Sequence, residues 1–223
     1  MTARRALLVT LLAIPAARSP LAAQSTLGFK AGLTSATISV GGELEQFNDF
    51  LKRRSGIAAG AFLTLGSGAL GLQIEGLYVQ KGVGFEGTFE GSSFEGELQL
   101  AYVEVPALLR VSIPAGALRP YLYAGAAAAF EVKCSGSVTV DGETGSGSCE
   151  EGEDQSGQEA DRRKLDLTAL GGGGVQFGLG GLAMLVELRY ARGLQNIDKS
   201  GNLDGKNEAL SLLAGITLPL GGR

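Results

Sequence analysis

From Leu27 onward, apolar and polar residues alternate with a period of two, in segments close to the roughly 9–11 residues a tilted strand needs to cross a bilayer. Residues 27–39 set Leu27, Phe29, Ala31 and Leu33 on one face against Lys30 and Thr34 on the other. Residues 70–81 set Leu72, Ile74 and Tyr78 against Gln73 and Glu75. Residues 98–113 set Ala101, Val103, Val105, Ala107, Leu109 and Val111 against Tyr102, Glu104 and Arg110. Residues 183–194 set Met184, Val186, Leu188 and Tyr190 against Glu187 and Arg189. With 56–65, 119–133, 164–177 and 208–220 the set comes to eight. Pro106 lies inside one segment, where it removes a ladder hydrogen bond, so a bulge is expected there.

The longest uncharged run, between Asp166 and Glu187, raises the alternative of a membrane helix. It contains seven glycines, each costing about 1 kcal/mol relative to Ala in a helix interior. Its centre, Gly178-Leu179-Gly180-Gly181, reads as a turn between two strands. Connections elsewhere alternate in length: 66–69, 114–118 and 178–182 are short, whereas 40–55, 82–97, 134–163 and 195–207 are long. Short turns on one side, long loops on the other and an even strand number predict an eight-stranded antiparallel up-and-down transmembrane β-barrel with both termini on the periplasmic side. A soluble barrel would be polar outside and apolar within. Here the charges occupy the minority face, which fits a lipid-facing exterior and a polar lumen.

The start of the chain fits export. Arg4 and Arg5 precede an apolar stretch over 6–17, and Leu21-Ala22-Ala23 supplies small residues for cleavage after Ala23. Residues 1–23 are thus expected to be a signal peptide and 24–223 the barrel, in the outer membrane. Losing Arg4, Arg5 and Arg18 leaves 16 basic residues against 23 acidic ones, a net charge of −7 that argues against nucleic acid as a partner. Export also makes Cys134 and Cys149 candidates for a disulfide.

Candidate chemistry is sparse. The chain has no histidine, which excludes catalytic triads, histidine metal sites and histidine-dependent lipid-modifying barrel enzymes. Glu75, Glu104 and Glu187 could act as paired carboxylates. Opposite Lys30, Arg110 and Arg189 in a narrow barrel, they read first as a packed ion network. Gly171–Gly174 lacks the Lys-Ser/Thr ending of a phosphate loop. In 82–97 the tripeptide Phe-Glu-Gly recurs at Phe85-Glu86, Phe89-Glu90 and Phe94-Glu95. This is either a surface interaction hairpin or strands running past the bilayer with packed phenylalanines. The 134–163 connection holds eight acids, without EF-hand spacing. No metal site and no cofactor are expected.

Two stretches carry a family resemblance: Tyr102-Val103-Glu104-Val105-Pro106-Ala107-Leu108-Leu109-Arg110, followed by Arg119-Pro120-Tyr121-Leu122-Tyr123-Ala124-Gly125, and Glu187-Leu188-Arg189-Tyr190-Ala191-Arg192-Gly193-Leu194-Gln195-Asn196-Ile197. The chain resembles the small outer-membrane β-barrel domain family that includes PorT-like proteins. The resemblance implies barrel construction, no general catalytic residues and, by analogy alone, a link to a secretion apparatus. The ending Leu218-Pro219-Leu220-Gly221-Gly222-Arg223 departs from the terminal aromatic of many such barrels. The expected role is structural or interactive: a monomeric barrel in outer-membrane lipid with an envelope or surface protein as partner. Solute transport and a carboxylate-based envelope enzyme are the alternatives. Amino-terminal sequencing of protein isolated from outer membranes should begin at Gln24; a start at the initiator methionine would refute cleavage.

Overall fold

The computed structural model describes residues 24–40, 51–67, 69–89, 92–113, 115–149, 165–195 and 205–220. The expected signal peptide lies outside them. Nine strands follow in order: β1 (Gln24–Val40), β2 (Leu51–Ser67), β3 (Leu70–Phe89), β4 (Ser92–Ser112), β5 (Leu118–Val140), β6 (Glu143–Ser148), β7 (Leu165–Leu179), β8 (Leu182–Gly193) and β9 (Gly205–Leu220). All pairings are antiparallel. Eight strands close a ring in the order β1-β2-β3-β4-β5-β7-β8-β9, with β9 returning to β1 from Ser25↔Leu220 to Val40↔Gly205. Among the described residues the ninth, β6, pairs only with the far end of β5.

The period-two pattern sets the two faces. Phe29, Leu33, Leu72, Ile74, Leu109, Leu122, Val186, Leu188 and Leu212 are exposed, whereas Lys30, Gln73, Glu75, Glu104, Arg110, Glu187 and Arg189 are buried. An apolar outside around a polar inside fits a barrel with lipid as its solvent, where all backbone groups must pair internally. At the short-turn end, Leu179 pairs with Leu182 across Gly180-Gly181.

At the other end the strands are longer than alternation predicted. The 82–97 connection is for the most part strand: β3 and β4 stay paired from Gly82↔Gln99 to Phe89↔Ser92. The start of the 134–163 connection is likewise strand, because β5 runs to Val140 and turns at Asp141-Gly142 into β6. Both turn residues have positive φ, 48° and 92°, which suits Asp-Gly in a tight hairpin. A disulfide joins Cys134 to Cys149, Cα atoms 5.4 Å apart, at the base of this hairpin. Glu150 and residues to 164 lie outside the described residues. In the β3–β4 extension, the Phe85 ring lies over Gly96 and the Phe94 ring over Gly87, each directly across the strand pair. Phe89 pairs with Ser92, while Glu90 lies outside the described residues.

The expected bulge is not at Pro106. Pairing with β5 continues through Pro106↔Ala127, and on the β3 side the ladder skips Glu75 and Gly76 and resumes in the same register. A strand residue's N–H serves one neighbour, so the proline removes one bond and requires no slip. The β4–β5 irregularity falls between Ala101 and Tyr102 instead, near the end of the apolar band.

The run Gly171–Gly174 has a specific role. Gly172 and Gly174 pair with Tyr123 and Tyr121, and a β-carbon there would lie 2.4 Å from the Leu188 or Val186 carbonyl oxygen of β8, and 2.6 Å from the Tyr123 hydroxyl or 2.7 Å from that of Tyr121. These glycines make room for two lumen tyrosines. Gly174→Ala should therefore destabilise the barrel by about 1–3 kcal/mol, read as a lower urea midpoint for the unboiled, fast-migrating form on a detergent gel. Gly171→Ala, facing outward with nothing within 4 Å, should not; equal midpoints for both variants would contradict this packing.

Candidate functional site

The lumen collects the titratable side chains that alternation put on the inward face, and it sorts them into three groups. At its centre Lys30 lies 2.7 Å from Glu75 and 2.8 Å from Glu187. Arg189 lies 2.8 Å from Glu75 and 3.1 Å from Glu187. Each carboxylate is thus shared by two cations. Gln73 Nε2 donates to Glu75 at 2.5 Å, the Tyr121 hydroxyl to Glu187 at 3.0 Å, and Arg189 Nε to the Tyr123 hydroxyl at 3.2 Å. These four residues are buried to 3% exposure or less, so solvent screens them little.

Glu104 does not join that cluster. It pairs with Lys81 at 2.5 Å, further toward the long-connection end. Lys81 escaped the sequence reading although it shares parity with Gln73 and Glu75, the one signal that marks it as inward. Arg110 has no carboxylate within ion-pairing distance among the described residues. It donates to Gln73 at 3.1 Å, Gln176 at 2.7 Å and Ser112 at 3.3 Å near the short-turn end. Gln176 in turn donates to Thr217 at 3.1 Å.

Every buried cation among the described residues also sits over an aromatic ring. Lys30 lies 4.9 Å from the Phe62 centroid, Lys81 5.3 Å from Tyr102, Arg110 3.7 Å from Tyr121 and Arg189 5.3 Å from Tyr123. In a low-dielectric interior, the ring quadrupole adds to the carboxylate field. Between the central cluster and the Lys81–Glu104 pair, a void of about 10 Å³ is lined by Ala58, Ala191, Ser211 and both charged groups, the room of a single water. Around this void the buried side chains of the described residues pack the interior, as an eight-stranded ring permits.

The candidate surface residues lie apart from the lumen. Glu86 and Glu95 face each other across β3 and β4 on the exposed side, and Lys52 of β2 pairs with Glu86. Arg54 pairs with Glu97 on the same outcrop. No group of three His, Cys, Asp or Glu is placed to hold a metal among the described residues.

Removing one carboxylate from the central cluster strands a buried cation. Glu187→Ala should cost about 3–5 kcal/mol in urea unfolding, and Glu104→Ala, which strands Lys81, a similar amount. Glu86→Ala, at an exposed pair, should change stability by less than about 1 kcal/mol. Equal effects for all three would contradict a buried network.

Comparison with known proteins gives the family. Residues 19–199 match the family described as outer membrane protein beta-barrel domain. No curated protein is significantly similar in sequence. Among solved structures, Neisserial surface protein A is similar at 13% identity and a TM-score of 0.44, over 87% of this chain and 97% of its own. The outer membrane protein OprG from Pseudomonas aeruginosa is similar at 12% identity and a TM-score of 0.48, over 90% and 98%. The outer membrane enzyme PagL is similar at 15% identity and a TM-score of 0.35, over 84% and 99%. Such scores add nothing to the family match, and the match covers most of the chain: this protein belongs to the outer-membrane β-barrel domain family and resides in the outer membrane.

Proposed function

We propose that this barrel is a non-catalytic outer-membrane scaffold that holds a rigid β-outcrop for contact with another envelope or surface protein. The observation that carries the reading is the continuation of β3, β4, β5 and β6 past the apolar band as one paired sheet, tied at its base by the Cys134–Cys149 disulfide. Ordering long hairpins costs about 1–2 kcal/mol of backbone entropy per residue, and a sheet already ordered before binding leaves less to lose on association. Its exposed side presents Glu86, Glu95, Thr139 and Thr144 in one cross-strand row, a polar and acidic face suited to a partner with basic or hydrogen-bonding groups.

Catalysis has little support from the same geometry. Glu75 and Glu187 are buried and neutralised by two cations each, Glu104 is buried and neutralised by one, and a general acid or base needs reach to a substrate. Photo-crosslinking residues placed at Glu95 and Thr144 should capture a discrete partner in intact cells, whereas one placed at Gly116 on the short-turn end should not capture the same species. Absence of any adduct at both outcrop positions, with the barrel correctly folded, would overturn the scaffold reading.

A further inference from the structure

Four carboxylates are buried in the described lumen, and three are matched by cations: Glu75 and Glu187 by Lys30 and Arg189, Glu104 by Lys81. Asp166 is the exception. Its Oδ2 accepts a hydrogen bond from Asn207 at 3.2 Å, while Oδ1 is buried without a donor. Two positions along the same face of β7, the Thr168 hydroxyl is also buried and unpartnered, at 1% residue exposure. Strand register brings in a second carboxylate. Glu104 of β4 pairs with Ala129 of β5, and Ala129 pairs in turn with Asp166 of β7. The two acids therefore flank a strand position whose side chain is one methyl group, the buried Ala129.

A carboxylate in a closed interior with one neutral donor is expelled, protonated or matched. Lys81 is already engaged with Glu104, so this corner carries a formal charge of −1. Its unsatisfied atoms are carboxylate and hydroxyl oxygens, the donors that hard cations take. Asp166 is the second residue of β7, which places the group at the mouth of the lumen on the long-connection side. The 134–163 stretch that enters on that side holds eight acids, and such a field raises the local concentration of cations. We propose that Glu104, Asp166 and Thr168 bind a hard cation in the lumen mouth, with Asn207 orienting the Asp166 carboxylate.

The test uses chelator-treated, folded protein in detergent. Calorimetric titration with CaCl₂ and with MgCl₂ is combined with unfolding midpoints in NaCl against choline chloride at equal ionic strength, which separates divalent from monovalent occupancy. The expected result is one saturable site for a divalent ion, or a higher midpoint in NaCl. Asp166→Asn should abolish it, Thr168→Val should weaken it about tenfold by removing one ion-bound hydroxyl, and Arg119→Gln at the exposed short-turn end should leave it unchanged. Should Asp166→Asn fail to fold, the near-isosteric Thr168→Val decides. The proposal is overturned if neither divalent ion gives a saturable signal and the two chloride salts give equal midpoints. It is equally overturned if Asp166→Asn and Thr168→Val respond as wild type, which would assign the cation to the acidic connections.

Discussion

Inside hydrocarbon no water is available to an unpaired backbone N–H or carbonyl, and that constraint organises the molecule. An open sheet would leave two strand edges unsatisfied at several kcal/mol per group, so the chain closes by pairing β9 with β1 over sixteen consecutive positions. Closure makes every strand two-faced, one side set by lipid and the other by the enclosed space. Alternation in the sequence is the record of that division.

The lumen follows from closure at eight strands. A ring this narrow leaves an interior that side chains must fill, and polar side chains filling it must satisfy one another. The described lumen buries four cations, Lys30, Lys81, Arg110 and Arg189, and four carboxylates, Glu75, Glu104, Asp166 and Glu187. It is neutral in sum but uneven along its length: Arg110 near the short-turn end leans on amides and an aromatic face, and Asp166 near the other end on a single amide. The tyrosines that contact the central cluster need room, and Gly172 and Gly174 supply it from the neighbouring strand. Charge, aromatic ring and glycine are thus parts of one packing solution, spread over strands far apart in sequence.

Alternation was enough to read the eight ring strands and the direction of Lys30, Glu75, Glu104, Arg110, Glu187 and Arg189, because parity alone decides facing. Which of them meet was not legible. Contact across a lumen depends on ring order and stagger, and these separate Glu104 from the central four and leave Arg110 to amides. Asp166 was legible, since Leu165 to Thr168 alternate outward and inward within the expected 164–177 strand, but it was passed over; Asn207 was missed because it lies one residue before the expected 208–220 strand. The β5–β6 hairpin was legible in principle: Asp141-Gly142 between Val138, Val140 and Thr144 is a hairpin turn signature that the surrounding acids obscured. At Pro106 the expectation of a bulge erred by treating the proline as a steric fault, when it removes one hydrogen bond to one neighbour.

The side chains packed around the central cluster leave one plain physical property to measure, the presence or absence of a continuous water path across the membrane. Conductance of purified wild-type protein in a planar lipid bilayer reads that path. The structure predicts a baseline without stable open steps, because the Lys30–Glu75–Glu187–Arg189 cluster and the tyrosines beside it occupy the cross-section. Long-lived, uniform open levels of large amplitude from the intact barrel would contradict it.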